Sequence, residues 1–294
     1  MKSLLPVAMA LVLFGCGKET SAPEPSTTSA PDTQPVAAAP IAPTATQATA
    51  TLPADSPIPA AGVLLWLRAD DAVAGANNGK VQTWTNPLVP NATAQAVRAD
   101  HLPAVVANAI NGHAVIRFDG TDQTLMSNID ISPARTPEGT VIAVFTSTTA
   151  EASPLRKLYG DDNGGYDRAV GLDDRAAGKS YTAFTGNGVT GYFALTPNTT
   201  YITVDEYSPK EFSGWVNGTA TLTKAAADWQ DALPNLYIGG TGTVYNEFWS
   251  GDLAELIVYA RKLSDTERAQ VEDYLGQKYG MGMTRGPAAV GTAR

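Results

Sequence analysis

The densest run of potential ligand atoms in the sequence is Asp161-Asp162-Asn163-Gly164-Gly165, followed by Asp167 and by Asp173-Asp174. Such a run concentrates carboxylate and amide oxygens in a turn-prone segment, and calcium takes roughly six to eight oxygens of this kind. Asp161, Asp162, Asn163 and Asp167 are therefore the candidate ligands for Ca2+, set against the plainer reading of a solvated acidic turn. The EF-hand spacing is not met, because Tyr166 stands where the loop glycine belongs and no glutamate closes the loop. A second chemistry is sugar stacking, which needs an exposed ring flanked by groups that read hydroxyls. Tyr166, Tyr192, Trp229 and Trp249 fall in or beside expected loops, and Trp229, between Asp228 and Gln230-Asp231, has the most polar setting.

Catalytic constellations are harder to find. A glycoside hydrolase needs two carboxyl groups across one cleft. Asp205 and Glu206 are adjacent, so on a strand they face opposite sides. Asp252 and Glu255 differ by three, which in a regular strand also separates them. The same alternation places Glu255 with Leu253, Ile257 and Tyr259, where a buried carboxylate needs a partner such as Arg261 or a backbone donor. A structural role for Glu255 is the expectation. No serine-nucleophile elbow or zinc-binding histidine pair occurs, and His101 and His113 are the only histidines. A net charge of -9 argues against nucleic-acid partners. The single cysteine, Cys16, excludes an intrachain disulfide.

The elements that must position these groups are mostly strands. Val63 to Leu67 is a short, wholly apolar run; Ala114 to Phe118 runs into Asp119-Gly120; Thr140 to Phe145, Tyr201 to Val204, Leu236 to Ile238 and Leu253 to Tyr259 read similarly. Asn78-Gly79, Asn111-Gly112, Asn163-Gly164, Asn187-Gly188 and Asn217-Gly218 are turn signals between them. The pattern predicts an all-β fold, an antiparallel two-sheet jelly-roll sandwich, with one C-terminal helix. Ser264-Asp265-Thr266-Glu267 has capping-box spacing; Val271, Tyr274, Leu275 and Lys278 recur at helical period, and Gly280 ends the helix. Trp66 and Trp84, inside strand runs, are expected in the core.

Before the sandwich lie two segments of different texture. Lys2 followed by the apolar run Leu4 to Phe14 is too short to span a bilayer and has signal-peptide layout. Leu13-Phe14-Gly15-Cys16 resembles the lipobox of bacterial lipoproteins, which implies diacylation of Cys16 before residues 1–15 are removed, leaving the cysteine as the first residue. Gly17 does not resemble the aspartate of inner-membrane retention, so the expected location is the outer membrane. Residues 16–57, rich in Pro, Thr, Ser and Ala, predict a disordered tether. The folded domain is expected over 58–281, with a flexible tail at 282–294.

Leu65-Trp66-Leu67-Arg68-Ala69-Asp70, Val81-Gln82-Thr83-Trp84 and Ile116-Arg117-Phe118-Asp119-Gly120 resemble the opening of bacterial laminin-G-like, concanavalin-A-like jelly-roll domains. Gly251 to Tyr259, Leu263-Ser264, Glu267-Arg268 and the stretch from Tyr274-Leu275 to Gly280 are similar to the close of such domains. The resemblance implies a sandwich whose rim loops recognise a glycan or a protein partner. Hydrolases of this architecture resemble one another in a Glu-x-Asp-x-x-Glu strand, and no such string occurs here. The expectation is a non-catalytic binding module held to the membrane by its lipid. A polysaccharide-acting hydrolase or lyase, or a structural envelope protein, are the alternatives.

Overall fold

The computed structural model describes residue 47 and residues 49–164, 167–173, 180–224, 226–229, 233–241 and 245–284. Cys16, the signal segment and most of the tether lie outside these residues. No helix among them is long and apolar enough to cross a membrane.

β1 (Val63–Arg68) opens the fold and leads into one helical turn, α1 (Ala69–Ala72). β2 (Thr83–Thr85), β3 (Thr93–Ala96), β4 (Ala104–Ile110), β5 (His113–Asp119) and β6 (Leu125–Ser127) follow. Next come β7 (Gly139–Ser147), β8 (Arg156–Gly160), β9 (Ala169–Leu172) and β10 (Tyr181–Phe184). β11 (Thr200–Tyr207), β12 (Phe212–Val216), β13 (Thr219–Lys224), β14 (Tyr237–Ile238) and β15 (Ser250–Tyr259) precede the closing helix α2 (Asp265–Tyr279).

The strands form two antiparallel sheets. One is eight-stranded in the order β13-β12-β11-β7-β15-β5-β4, with β1 beside the second half of β15; the other is seven-stranded, β10-β9-β8-β14-β6-β3-β2. Asn78-Gly79, Asn111-Gly112 and Asn217-Gly218 each hold positive φ at both residues. That is the twist of a two-residue type I′ hairpin, which asparagine and glycine tolerate best. Aromatic contacts join the sheets: the Phe145 ring on β7 stacks on Tyr181 of β10 with centroids 5.2 Å apart. Trp66 and Trp84 are fully buried, as their strand settings predict.

Helix α2 covers the outer face of the eight-stranded sheet. Its capping box forms as the spacing predicts, with Ser264 and Glu267 satisfying each other's backbone donors, and Gly280 closes it in left-handed conformation at φ 69°. Because α2 covers β11 from outside, that strand is buried on both faces: Asp205 points inward to Tyr159 and Glu206 outward to Lys262. Neighbours in sequence thus separate, as alternation requires.

At β15 the alternation is broken. Leu253 pairs with Phe145 and Glu255 with Val144, so Ala254 is an extra residue. This bulge turns Leu253 inward and Glu255 outward, beneath α2, where regular alternation had grouped them. Asp252 and Glu255 therefore share the outer face rather than opposing each other, each with its own cation. Asp252 takes both arms of Arg117, at 2.7 and 2.8 Å. Glu255 is bonded by Trp66 Nε1 at 2.6 Å, Lys278 Nζ at 2.8 Å, Tyr279 Oη at 2.9 Å and Tyr274 Oη at 3.2 Å. Arg261, one of the two kinds of partner considered from sequence, instead clasps Glu267 of the capping box at 2.9 and 2.6 Å.

The fold also begins earlier than composition predicts. Within the segment read as tether, Leu52 is buried in the core and the Ala50 N–H donates to Val63 O at 2.8 Å. Gln47 reaches Asp130 O at 2.7 Å and Thr136 Oγ1 at 3.1 Å, and accepts from Asp130 N at 3.1 Å. One leucine and one amide are too little to register against a Pro/Thr/Ala background, yet they strap the chain to the domain. Past the helix, Thr284, placed by sequence in the flexible tail, is tied to Asn217 O and Thr219 Oγ1.

Candidate functional site

The acidic turn after β8 divides its carboxylates between two environments. Asp161 points into the protein, fully buried, with neither carboxylate oxygen hydrogen-bonded. Burial pushes its carboxyl well above the usual range, against the opposing charge of Arg168. Asp162 turns outward: Oδ1 accepts from Gly164 N at 2.7 Å and Oδ2 lies 3.2 Å from Lys157 Nζ. Asp167 Oδ2 accepts from Asn163 N at 3.1 Å and closes the turn. Asp161 and Asp162, adjacent in the chain, thus turn to different surroundings. Among the described residues no three His, Cys, Asp or Glu side chains gather as a metal site.

What Asp162 builds instead is a small pocket. Its walls are Leu155, Lys157, Asp162, Gly164, Phe184, Tyr245 and Glu247, around a volume of 160 Å³. A register shift between Lys157 and Tyr159 in β8 sends these two side chains to different faces. Tyr159 goes into the sandwich, while Lys157 lies over the ring of Phe184 at the outward-facing end of β10. The Lys157 N–H donates to Glu247 O at 3.0 Å, which ties the strand to the loop before β15. Its side chain is only 1% exposed, with Glu247 Oε2 3.9 Å from Nζ. A buried ammonium needs this compensation from carboxylates and a ring face. Tyr245 leans on Gly164, where a Cβ would collide with its hydroxyl, yet the residue is 43% exposed. It is one of two large apolar residues exposed to this degree among the described residues.

Three of the four rings named from sequence lie within the described residues. Trp249 is fully buried, edge-on to Phe145 at 5.5 Å, with Nε1 donating to Thr146 O. It offers no face to a sugar. Trp229 is half-buried: Nε1 donates to Ser208 O at 2.7 Å, and its ring packs on Tyr207 at 5.4 Å and against the Arg168 guanidinium at 5.2 Å. Tyr192 is half-buried beside Phe193, whose backbone pairs with Tyr181. Tyr166 lies outside the described residues. Sequence reasoning missed Tyr245 and Lys157. The available signals were a lone tyrosine in the Gly/Thr-rich stretch Gly239 to Asn246 and a lysine inside the strand run Leu155 to Tyr159.

The remaining buried chemistry is enclosed. Tyr159 Oη donates to Asp205 Oδ2 at 2.7 Å and lies 3.3 Å from Tyr207 Oη. Burial raises the Asp205 carboxyl to about 7 despite the hydrogen bond from Tyr159, and pushes Tyr159, Tyr181 and Tyr207 well up. Arg168 is buried and donates to the carbonyls of Ile131 at 2.7 Å and Pro137 at 3.0 Å. A larger groove of 550 Å³ runs between Gln47 with residues 49–51 and residues 64, 88–92, 128 and 129. Among the described residues no charged side chain and no aromatic ring lines it.

No protein-family model matches the sequence, and no curated protein matches it. Among solved structures the fold is similar to domain 4 of AbnA, an extracellular arabinanase from Geobacillus stearothermophilus, in complex with arabinotriose. The likeness has TM-score 0.52 and 12% identity, over 72% of this chain and 98% of that one. Weaker likenesses are to the binding domain of botulinum neurotoxin serotype D (TM-score 0.48, 10% identity, 72% of this chain and 52% of that one) and to Trypanosoma rangeli sialidase with sialic acid (TM-score 0.46, 16% identity, 78% and 35%). At these identities what the chain shares is the architecture: an all-β sandwich of two antiparallel sheets.

Proposed function

We propose that this chain is a non-catalytic glycan-binding module, displayed from the outer membrane on a lipid-anchored tether. The observation that carries the reading is the pocket at Lys157: an exposed tyrosine ring beside two carboxylates, held in place by a buried ammonium. A ring that stacks on a sugar face, with charged oxygens beside it to take hydroxyl hydrogens, is the physics of sugar recognition. The arabinotriose in the arabinanase domain of similar fold suggests which ligands to try first. The binding role is favoured over hydrolysis by how the carboxylates are used. Glu255 sits under α2 with four donors, Asp252 is clasped by Arg117, and Asp162 and Glu247 both flank Lys157. Cys16 and the Pro/Thr/Ala-rich segment supply the display.

The test is a glycan panel probed with a soluble form beginning at Gly17, together with an assay for reducing ends. Saturable binding to at least one oligosaccharide, without release of reducing sugar, is the expected result. Failure to bind any glycan overturns the proposal, and turnover of a bound one replaces it with the hydrolase alternative.

A further inference from the structure

The pocket's charge and depth also say which sugars it takes. We infer, resting on the glycan-binding reading above, that the Lys157 pocket admits one sugar ring that is uncharged or carries an amine, and rejects acidic sugars. Among the described residues three charged side chains line the pocket: Lys157, Asp162 and Glu247. With all three ionised their sum is one negative charge. The single cation is the least accessible of them, its side chain 1% exposed against 7% for Asp162 and 16% for Glu247. An incoming ligand therefore meets carboxylate oxygen and the Tyr245 ring before it meets ammonium.

Asp162 already accepts from Gly164 N and Lys157, and an ionised carboxylate has about four acceptor positions. Hydroxyl and ammonium hydrogens of a sugar suit such a wall. An amine gains a second attraction, since a cation over the Tyr245 face is favoured by the ring quadrupole. The carboxylate of a uronic or sialic acid would instead face like charge, with no open cation among the described lining residues to receive it. Arg156, the neighbouring cation, does not line the pocket; its guanidinium is bonded to Phe248 O at 3.1 Å and Gly120 O at 3.4 Å. The volume of 160 Å³ falls below the roughly 300–1,000 Å³ of pockets that enclose larger ligands, so one ring is the unit recognised.

The experiment is a panel in which neutral, amino, uronic, sialylated and sulfated glycans are all present, probed with the soluble chain at low salt. All hits are expected among the neutral and amino members. Glu247→Gln, which leaves Asp162 on Lys157, is expected to tighten binding of a galacturonic acid trimer about tenfold, with Asp162→Asn as an independent second variant. An acidic glycan among the best hits, or variants that leave the acidic trimer's affinity unchanged, overturns the selectivity while the glycan-binding reading stands. No hit in any class overturns both.

Discussion

Replacing Asp205 with asparagine isolates one buried charge and gives a stability change whose sign depends on pH. In the folded chain the Asp205 carboxyl, pushed to about 7 by burial, keeps its proton where an unfolded aspartate, near 3.8, has lost it. Between those two values the unfolded state binds fewer protons, so stability falls as pH rises; below them the group has no effect, and above them the loss is complete. Each pKa unit corresponds to about 1.4 kcal/mol, so a rise from 3.8 to about 7 corresponds to roughly 4 kcal/mol. Asparagine keeps the shape and an oxygen for Tyr159 but cannot ionise. Asp205→Asn is thus expected to match the parent within ~1 kcal/mol near pH 4 and to exceed it by a few kcal/mol at pH 8. Asp161 shifts in the same direction, but it is present in both proteins and cancels in the difference. Urea unfolding at a series of pH values, with m held constant, measures that difference directly. A variant equally destabilised at every pH, or relatively weaker at pH 8, would refute the reasoning.

Glu255→Ala leaves three ring donors beneath α2 without their acceptor and Lys278 with Asp70 alone, at 3.3 Å, and is expected to cost about 3–5 kcal/mol in urea unfolding. Leu52→Ala is expected to lose about 2–4 kcal/mol by the same measurement, a loss that a purely disordered tether would not show. Glu267, held down to about 2 chiefly by Arg261, adds stability that is present above about 4.5 and lost as pH falls toward 2. Because the pair is partly exposed, the contribution is only about 1 kcal/mol, and Glu267→Gln should remove that acid-side slope in thermal melts.

The frame of the molecule was legible because its signals are local. Asn-Gly turns, apolar strand runs and the Ser264/Glu267 spacing each act within a few residues. Of the pocket only Asp162 was singled out from sequence, as a calcium ligand, because Lys157, Phe184, Tyr245 and Glu247 come from separate segments that only the sheet brings together. Two bulges compounded this. The shift between Lys157 and Tyr159 sends a lysine outward from an apolar strand, and the extra residue at Ala254 reverses the face of Glu255. A strict period of two cannot anticipate either. The acidic run was a true signal of concentrated charge, with Asp161 turned into the core and Asp162 onto a lysine.

The central claim is that the pocket beside Lys157 is where glycan binds. Its most direct measurement is calorimetric titration of the panel's best ligand into the parent chain and into Tyr245→Ala. Tyr245 is exposed, so the variant should melt at the parent's temperature while its affinity falls at least about tenfold. Unchanged affinity in a folded Tyr245→Ala protein would contradict the account and place the site elsewhere on the sandwich.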